Sequence, residues 1–145
     1  MYLLDKDRRT PLHLASGSGG TEAVKILLEY GAKESINFVD KNQTTPLHLA
    51  SETRRTETVR ILLENGAKES INLVDQNQRT PLHLASAYGG NEIIRILLKN
   101  GAEESITMLD RDRKPPLHFA SVREDTEAIR ILLENWAKES INLVD

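Results

Sequence analysis

The chain contains no cysteine. That excludes a disulfide framework and a cysteine nucleophile, and it fits a reducing compartment, so an intracellular location, cytoplasmic or nuclear, is expected. Long apolar runs are missing too. Runs inside the chain stop at three residues, as in Ile26-Leu27-Leu28, far short of the ~20 that span a bilayer. Met1-Tyr2-Leu3-Leu4 is followed at once by Asp5, Lys6 and Asp7, so no secretory h-region forms there. The net charge of -3 is small and makes no general case for nucleic acid. No Gly-x-Ser-x-Gly, Gly-x-Gly-x-x-Gly or Walker loop occurs. The hydrophobic content of 39% is that of a soluble protein, and 145 residues leave room for one domain or one short repeat array.

What is present is periodic. Thr-Pro-Leu-His begins at Thr10, Thr45 and Thr80, and a damaged copy begins at Pro115, with 35 residues between copies. All five prolines fall in this motif. The units start in phase at Asp5, Asp40, Asp75 and Asp110, and Asp145 continues the phase. A period of this size signals a stacked repeat protein. One domain over 1–145 is expected, with repeats of about 5–39, 40–74, 75–109 and 110–144.

Each motif reads as a helix start. Proline suits the first helical turn, where its missing N–H is no loss, and Thr10, Thr45 and Thr80 precede it as N-caps. Leu12, Leu14 and Ala15 make a short apolar helix. After a small or polar break, Thr21-Glu22, Thr56-Glu57, Asn91-Glu92 and Thr126-Glu127 read as caps with an acid in the first turn. The second helix carries Val24, Ile26, Leu27 and Leu28, a stripe wide enough for packing on both sides. Gly31, Gly66 and Gly101 stop it. Ile36-Asn37-Phe38-Val39 then reads as an extended segment leading into a turn. A coiled coil is excluded, because proline interrupts every unit and no heptad persists.

The strings Thr-Pro-Leu-His-Leu-Ala and Ile-Leu-Leu-Glu-Asn-Gly-Ala resemble the ankyrin repeat over the whole chain. The resemblance implies an all-α solenoid of stacked helix-turn-helix units with short β-hairpin or turn connections. It also implies protein partners held on the concave side by hairpin tips and first helices. The units depart from that pattern in four ways. They are longer than the consensus of about 33 residues, the extra pair falling at Lys33-Glu34, Lys68-Glu69, Glu103-Glu104 and Lys138-Glu139, where an exposed loop is expected. The tip glycine is replaced by Arg8, Gln43, Gln78 and Arg113. Left-handed backbone is then expected at Asp7, Asn42, Asn77 and Asp112, which tolerate it best. In the fourth unit Pro115 removes a hydroxyl cap, and Trp136 replaces the stopping glycine, so an altered helix end is expected. Polar capping repeats are absent. Helix faces are expected to be exposed through Leu14 and Val24 at one end and Ile129 and Leu133 at the other, as in a fragment of a longer array, the favoured reading, or in a chain that associates end to end.

Candidate chemistry is thin. His13, His48, His83 and His118 recur one unit apart, roughly 8–10 Å between packed helices, whereas ligands of one zinc lie about 2 Å from it. They read as structural residues bonding the threonine hydroxyl and a neighbouring turn. Ser16, Ser51, Ser86 and Ser121 follow the histidines by three residues in every unit, which is better explained by repeat packing than by a triad. Gly17-Ser18-Gly19-Gly20 precedes a helix but lacks the lysine and strand of a phosphate loop. No cofactor, metal or catalytic role is expected.

Differences between units concentrate at the tips and the ends of the first helices. On the family's pattern the partner-binding residues are Lys6, Arg9, Lys41, Thr44, Gln76, Arg79, Arg111 and Lys114 at the tips. Glu52, Thr53, Ala87, Tyr88 and Arg123 join them from the first helices. Basic residues outnumber acids in the tip set, while Glu22, Glu29, Glu57, Glu92 and Glu127 lie on second helices. An acidic protein or peptide partner is therefore expected, with Tyr88 as anchor. The rivals are a structural repeat segment of a larger protein, an engineered scaffold without a ligand of its own, and nucleic-acid binding through the tips. Stacking on nucleic acid needs aromatics, and Tyr88 is the one aromatic in the set. No membrane association is expected.

Overall fold

The computed structural model describes residues 3–142, with side chains to Glu139. Asp145 and the outermost residues of the 1–145 span lie outside them. The described residues form eight α-helices: α1 Pro11–Ser18, α2 Thr21–Glu29, α3 Pro46–Glu52, α4 Thr56–Glu64, α5 Pro81–Tyr88, α6 Asn91–Lys99, α7 Pro116–Val122 and α8 Thr126–Asn142. Each odd-numbered helix pairs with the next in its own unit. The first helices α1, α3, α5 and α7 stack in one layer, and the second helices pack behind them. No strand occurs among the described residues, so the connections are tight turns. This is the all-α solenoid expected from the repeat.

The core runs unbroken between the two layers. Leu12, Leu47 and Leu82 of the first helices meet Val24, Val59, Ile94, Leu62 and Leu97 of the second, all fully buried. Each such side chain contributes roughly 2 kcal/mol relative to exposure. No unit could bury these faces alone, which is why the stack is the folding unit.

Directional bonds set how one unit sits on the next. Thr10 Oγ1 accepts the His13 backbone N–H at 3.2 Å, and His13 Nδ1 accepts the Thr10 N–H at 3.1 Å. Thr45 with His48 and Thr80 with His83 repeat this capping box. The other ring nitrogen crosses to the next unit. Nε2 of His13 donates to the Thr44 carbonyl at 2.9 Å, that of His48 to Arg79 at 3.1 Å and that of His83 to Lys114 at 3.1 Å. A backbone N–H can only donate and a carbonyl can only accept, so each ring is neutral with its proton on Nε2. Pro115 provides no hydroxyl, α7 starts without a side-chain cap, and His118 is exposed.

The tips are hairpin turns. The Asp40 carbonyl accepts from Gln43 N–H at 3.0 Å, and the Asp40 N–H donates to the Thr44 carbonyl at 3.0 Å. Asp40 Oδ1 accepts from Asn42 and Thr44 N–H at 2.8 and 2.9 Å. Equivalent bonds form at Asp5, Asp75 and Asp110. Neighbouring tips join through Lys41 N–H to the Asp7 carbonyl, Gln76 to Asn42 and Arg111 to Asn77, at 3.0, 3.0 and 2.9 Å.

Four details differ from the sequence reading. First, the left-handed tip residues are Arg8, Gln43, Gln78 and Arg113, with φ of 61–64°, and not the Asp or Asn before them. In a three-residue hairpin loop the left-handed position follows the turn, so the Asx side chain stays within the turn. Second, Thr21, Thr56, Asn91 and Thr126 are the first helical residues and not caps. Gly20, Arg55 and Gly90 precede the helices without a side-chain bond, and in the fourth unit Asp125 Oδ1 accepts the Ala128 N–H at 3.1 Å. Third, the charged insert is not an open loop. In the first three units it lies in short 3-10 helices, Ala32–Ser35, Ala67–Ser70 and Ala102–Thr107, and in the fourth Lys138-Glu139 lies within α8; Ile36 is itself helical, with φ -62° and ψ -28°. Buried Ser35 and Ser70 donate to the Ala32 and Ala67 carbonyls at 2.9 and 3.0 Å, closing these turns. Fourth, Val24 is fully buried against the second unit, whereas Leu14 and Leu133 are exposed as expected and Ile129 is half-buried.

The expected change at Trp136 is present. Gly31, Gly66 and Gly101 end α2, α4 and α6 with φ of 110°, 115° and 112°. Trp136 cannot take that conformation cheaply, and α8 runs through it to Asn142.

Two predictions follow from these bonds. Burial is the main cause that holds the His13, His48 and His83 rings below the ordinary histidine pKa, outweighing the carbonyls that favour the charged form. The unfolded chain therefore takes up protons first, and these histidines lose their stabilising effect as pH falls below about 6.5. Glu52, pushed up by burial, works in the opposite sense above its ordinary value. Denaturant midpoints measured between neutral and mildly acidic pH should fall with acid, and a flat profile would refute the neutral-ring assignment. Replacing the exposed Gln78 by glycine relieves its left-handed strain, less the extra freedom glycine has when unfolded. The expected gain is about 0.5–1 kcal/mol, read from urea melts.

Candidate functional site

The tips and first helices enclose a groove of about 360 Å³. Six of the residues picked out in the sequence line it: Arg9, Lys41, Thr44, Glu52, Gln76 and Arg79. A shallower hollow of about 410 Å³ adjoins it through Glu52 and is lined also by Thr53, Arg54, Tyr88 and Arg123. The Ala87 carbonyl accepts a 3.5 Å bond from Arg123 Nη1, which places Ala87 at its edge. Lys6 and Arg111 are exposed at tips and line neither hollow, and Lys114 is half-buried with its carbonyl held by His83. The chain thus brings nine of the thirteen side chains into two adjoining hollows.

The charge of this face is not what a count of basic residues suggests. Arg9 is bonded to Asp5 at 3.0 Å and lies 3.4 Å from Asp7. Lys41 meets Asp7 at 2.8 Å, and that bond is the main cause that raises the lysine pKa. Arg79 bonds the buried Asp110 carboxylate at 3.3 Å and lies over the Phe119 ring, 5.0 Å from its centre. Burial alone would raise Asp110. The Lys114 and Asp112 N–H groups and the Arg79 guanidinium outweigh it and hold the carboxyl below its ordinary value. Asp40 and Asp75 also line the groove. Burial, helped by the nearby Asp75 charge, pushes the Glu52 carboxyl up. In the first three units, Arg9, Lys41 and Arg79 are matched by acids of the chain itself.

Cations without an ion pair within the described residues lie elsewhere on the same face: Lys6, Arg8, Arg54, Arg111, Arg113, Lys114 and Arg123. Four of these seven are in the fourth unit. Tyr88 remains exposed beside Arg54 and Arg123. Sequence comparison alone missed Arg54, the groove acids Asp40 and Asp75, and the apolar floor of Leu49 and Leu84. Asp40 and Asp75 recur in every unit and so read as framework. Arg54 stands where Gly19 and Gly89 end α1 and α5, and its φ of 57° aims a long side chain out of a glycine position.

The back of the stack carries an open trough of about 840 Å³ between second helices. Glu92 in its lining is matched by arginines on both sides. Arg60 bridges Glu57 and Glu92 at 3.4 and 3.1 Å, and Arg95 bonds Glu127 of the next unit. The histidines have no free ring nitrogen for chemistry in the first three units. The hydroxyls of Ser16, Ser51 and Ser86 are buried without a bond to them, so the Ser/His pairs form no relay. No helix among the described residues is long and apolar enough to cross a membrane.

A family model described as ankyrin repeats (3 copies) matches residues 1–72 and 68–145. Among curated proteins none matches the chain.

The Arg79 arrangement generates a stability prediction. Arg79→Ala removes a bond to a buried carboxylate and the contact with Phe119. A loss of roughly 2 kcal/mol is expected, measured by chemical denaturation. Arg79→Lys should recover only part of it, because lysine keeps the charge but not the planar stack.

Proposed function

The chain belongs to the ankyrin-repeat family, whose members are generally protein–protein interaction modules, and from that premise we propose that it binds an acidic segment of a partner protein across the tips and first helices. The observation that carries this reading is the division of charge on that face. Arg9, Lys41 and Arg79 are tied up by Asp5, Asp7 and Asp110, while Arg54 and Arg123 are left unmatched beside exposed Tyr88, and Arg111 and Lys114 at the fourth tip. Unmatched cations speed encounter with an acidic ligand and select against basic ones. A tyrosine among arginines is a common energetic centre of an interface.

The mode follows from the fold. The groove floor rests on first helices whose starts are pinned by buried histidines, so the face is formed before binding and loses little order on contact. The partner segment runs along the tips, its acids opposite Arg111, Lys114 and Arg123 and an apolar or aromatic side chain against Tyr88. Members of the family are typically non-enzymatic, and recognition here needs no catalysis.

A displayed random-peptide library panned on the chain checks this. Enriched peptides should be rich in Asp and Glu, and binding should weaken with salt. The combined variant Arg111→Glu, Lys114→Glu, Arg123→Glu should lose at least tenfold in affinity, and Tyr88→Ala a similar factor. Enrichment with no acidic bias, or binding untouched by these variants, would sink the proposal.

A further inference from the structure

Departures from the repeat stand at the two ends of the stack, and they match each other. Tyr30 occupies the position of Asn65, Asn100 and Asn135, and Trp136 that of Gly31, Gly66 and Gly101. Both aromatics are exposed, at 74% and 48%. Around them lie apolar residues that neighbouring units cover elsewhere. Ile26 is 50% exposed, while its equivalents Ile61 and Ile131 are 8% exposed and Ile96 is partly buried. Leu133 is 41% exposed, against 4% for Leu98.

The interior of the chain shows what covers such residues. Leu63 and Gly66 of the second unit share one trough with Ile96 and Asn100 of the third. The same step carried past the fourth unit sets Leu133 and Trp136 opposite Ile26 and Tyr30 of another first unit. An apolar pocket of about 300 Å³, lined by Leu109, Pro115, Leu117, Leu132, Leu133 and Trp136 among others, is open at that end. Ile26 and Ala23 stand on the opposite exposed face.

Polar groups are left over in the same register. Arg60 bonds Glu92 and Arg95 bonds Glu127, each one unit ahead. Arg130 is the next in that series and makes no ion pair among the described residues, while exposed Glu22 has only Lys25 at 3.9 Å. The Thr44 carbonyl takes two donors, Asp40 N–H and His13 Nε2. Among the described residues, the equivalent Arg9 carbonyl takes only the Asp5 N–H, and exposed His118 is the ring with no tip following it.

We propose that a second copy of this chain stacks head to tail on the first, its first unit against the fourth unit of the copy before it, in the chain's own repeat register. Ile26 and Tyr30 cover Leu133 and Trp136, Glu22 pairs with Arg130, and the Arg9 carbonyl receives His118. Such a contact joins two different surfaces, so it can propagate into longer assemblies. Apart from the Arg9 carbonyl, it uses second-helix surface and not the partner-binding face, so either reading can fail without the other.

Sedimentation velocity over a concentration series of the 145-residue chain tests it. The wild-type mass should grow with concentration from the 16.3 kDa monomer. Ile26→Lys and Leu133→Lys, each shown folded by circular dichroism, should stay monomeric alone. Mixed one to one, they should form a species of two chains and no larger, because each retains one working end. Arg130→Glu should weaken growth about tenfold, and Glu22→Arg in the same chain should restore it. A wild-type monomer at every concentration overturns the proposal and leaves those faces to another occupant. Growth that survives both lysine variants, or a mixture that stays monomeric, also overturns it.

Discussion

The buried threonine–histidine bridge is the contact on which the rest of this molecule depends. Apolar burial holds the units together but carries no direction. A stack touching only nearest neighbours has no distant contact to correct an error of angle. The bridge supplies direction. One face of the ring closes the start of a first helix through Thr10, Thr45 or Thr80, and the other nitrogen reaches the tip of the next unit. The same atoms therefore cap a helix and set the spacing between units. Water cannot substitute in so dry a site without leaving a buried donor or acceptor unpaired.

The tips inherit their order from that link. The aspartate that opens each unit gathers two backbone N–H groups, and the hairpins then join edge to edge. A row of tips held this way presents side chains at fixed intervals. Charge along the row is spent unevenly. Arg9, Lys41 and Arg79 of the first three units meet carboxylates of the chain, while Arg111, Arg113, Lys114 and Arg123 of the fourth make no ion pair among the described residues.

The junction between the third and fourth units was rebuilt as a set. Asn37 and Asn72 each donate across to a glycine carbonyl in the next unit, Gly66 at 3.1 Å and Gly101 at 3.0 Å. At the next step both partners change: Thr107 stands for the asparagine and Trp136 for the glycine. Changed together, they let α8 continue and bring Thr107 and Trp136 to one apolar pocket.

The period, the helix starts and the identity of the core positions were legible in the sequence. They depend on local chemistry repeated four times: proline after threonine, leucine at helical spacing, glycine at a helix end. The structural role of three histidines was legible for the same reason, while His118 differs because no fifth tip follows among the described residues. What only the tertiary structure decided are matters of partnership. Tip strain fell on Gln43 and not Asn42, because hairpin closure, and not residue tolerance, selects the left-handed position. Thr21 and Thr56 became helical residues because the loop before them closed without their hydroxyls. Val24 is buried because the second unit covers it. The basic face kept only part of its charge, because acids in the same and the adjoining units meet Arg9, Lys41 and Arg79. A sequence counts charges and apolar groups, but three-dimensional packing determines which of them remain free, since pairing acts through distances that residue order does not contain.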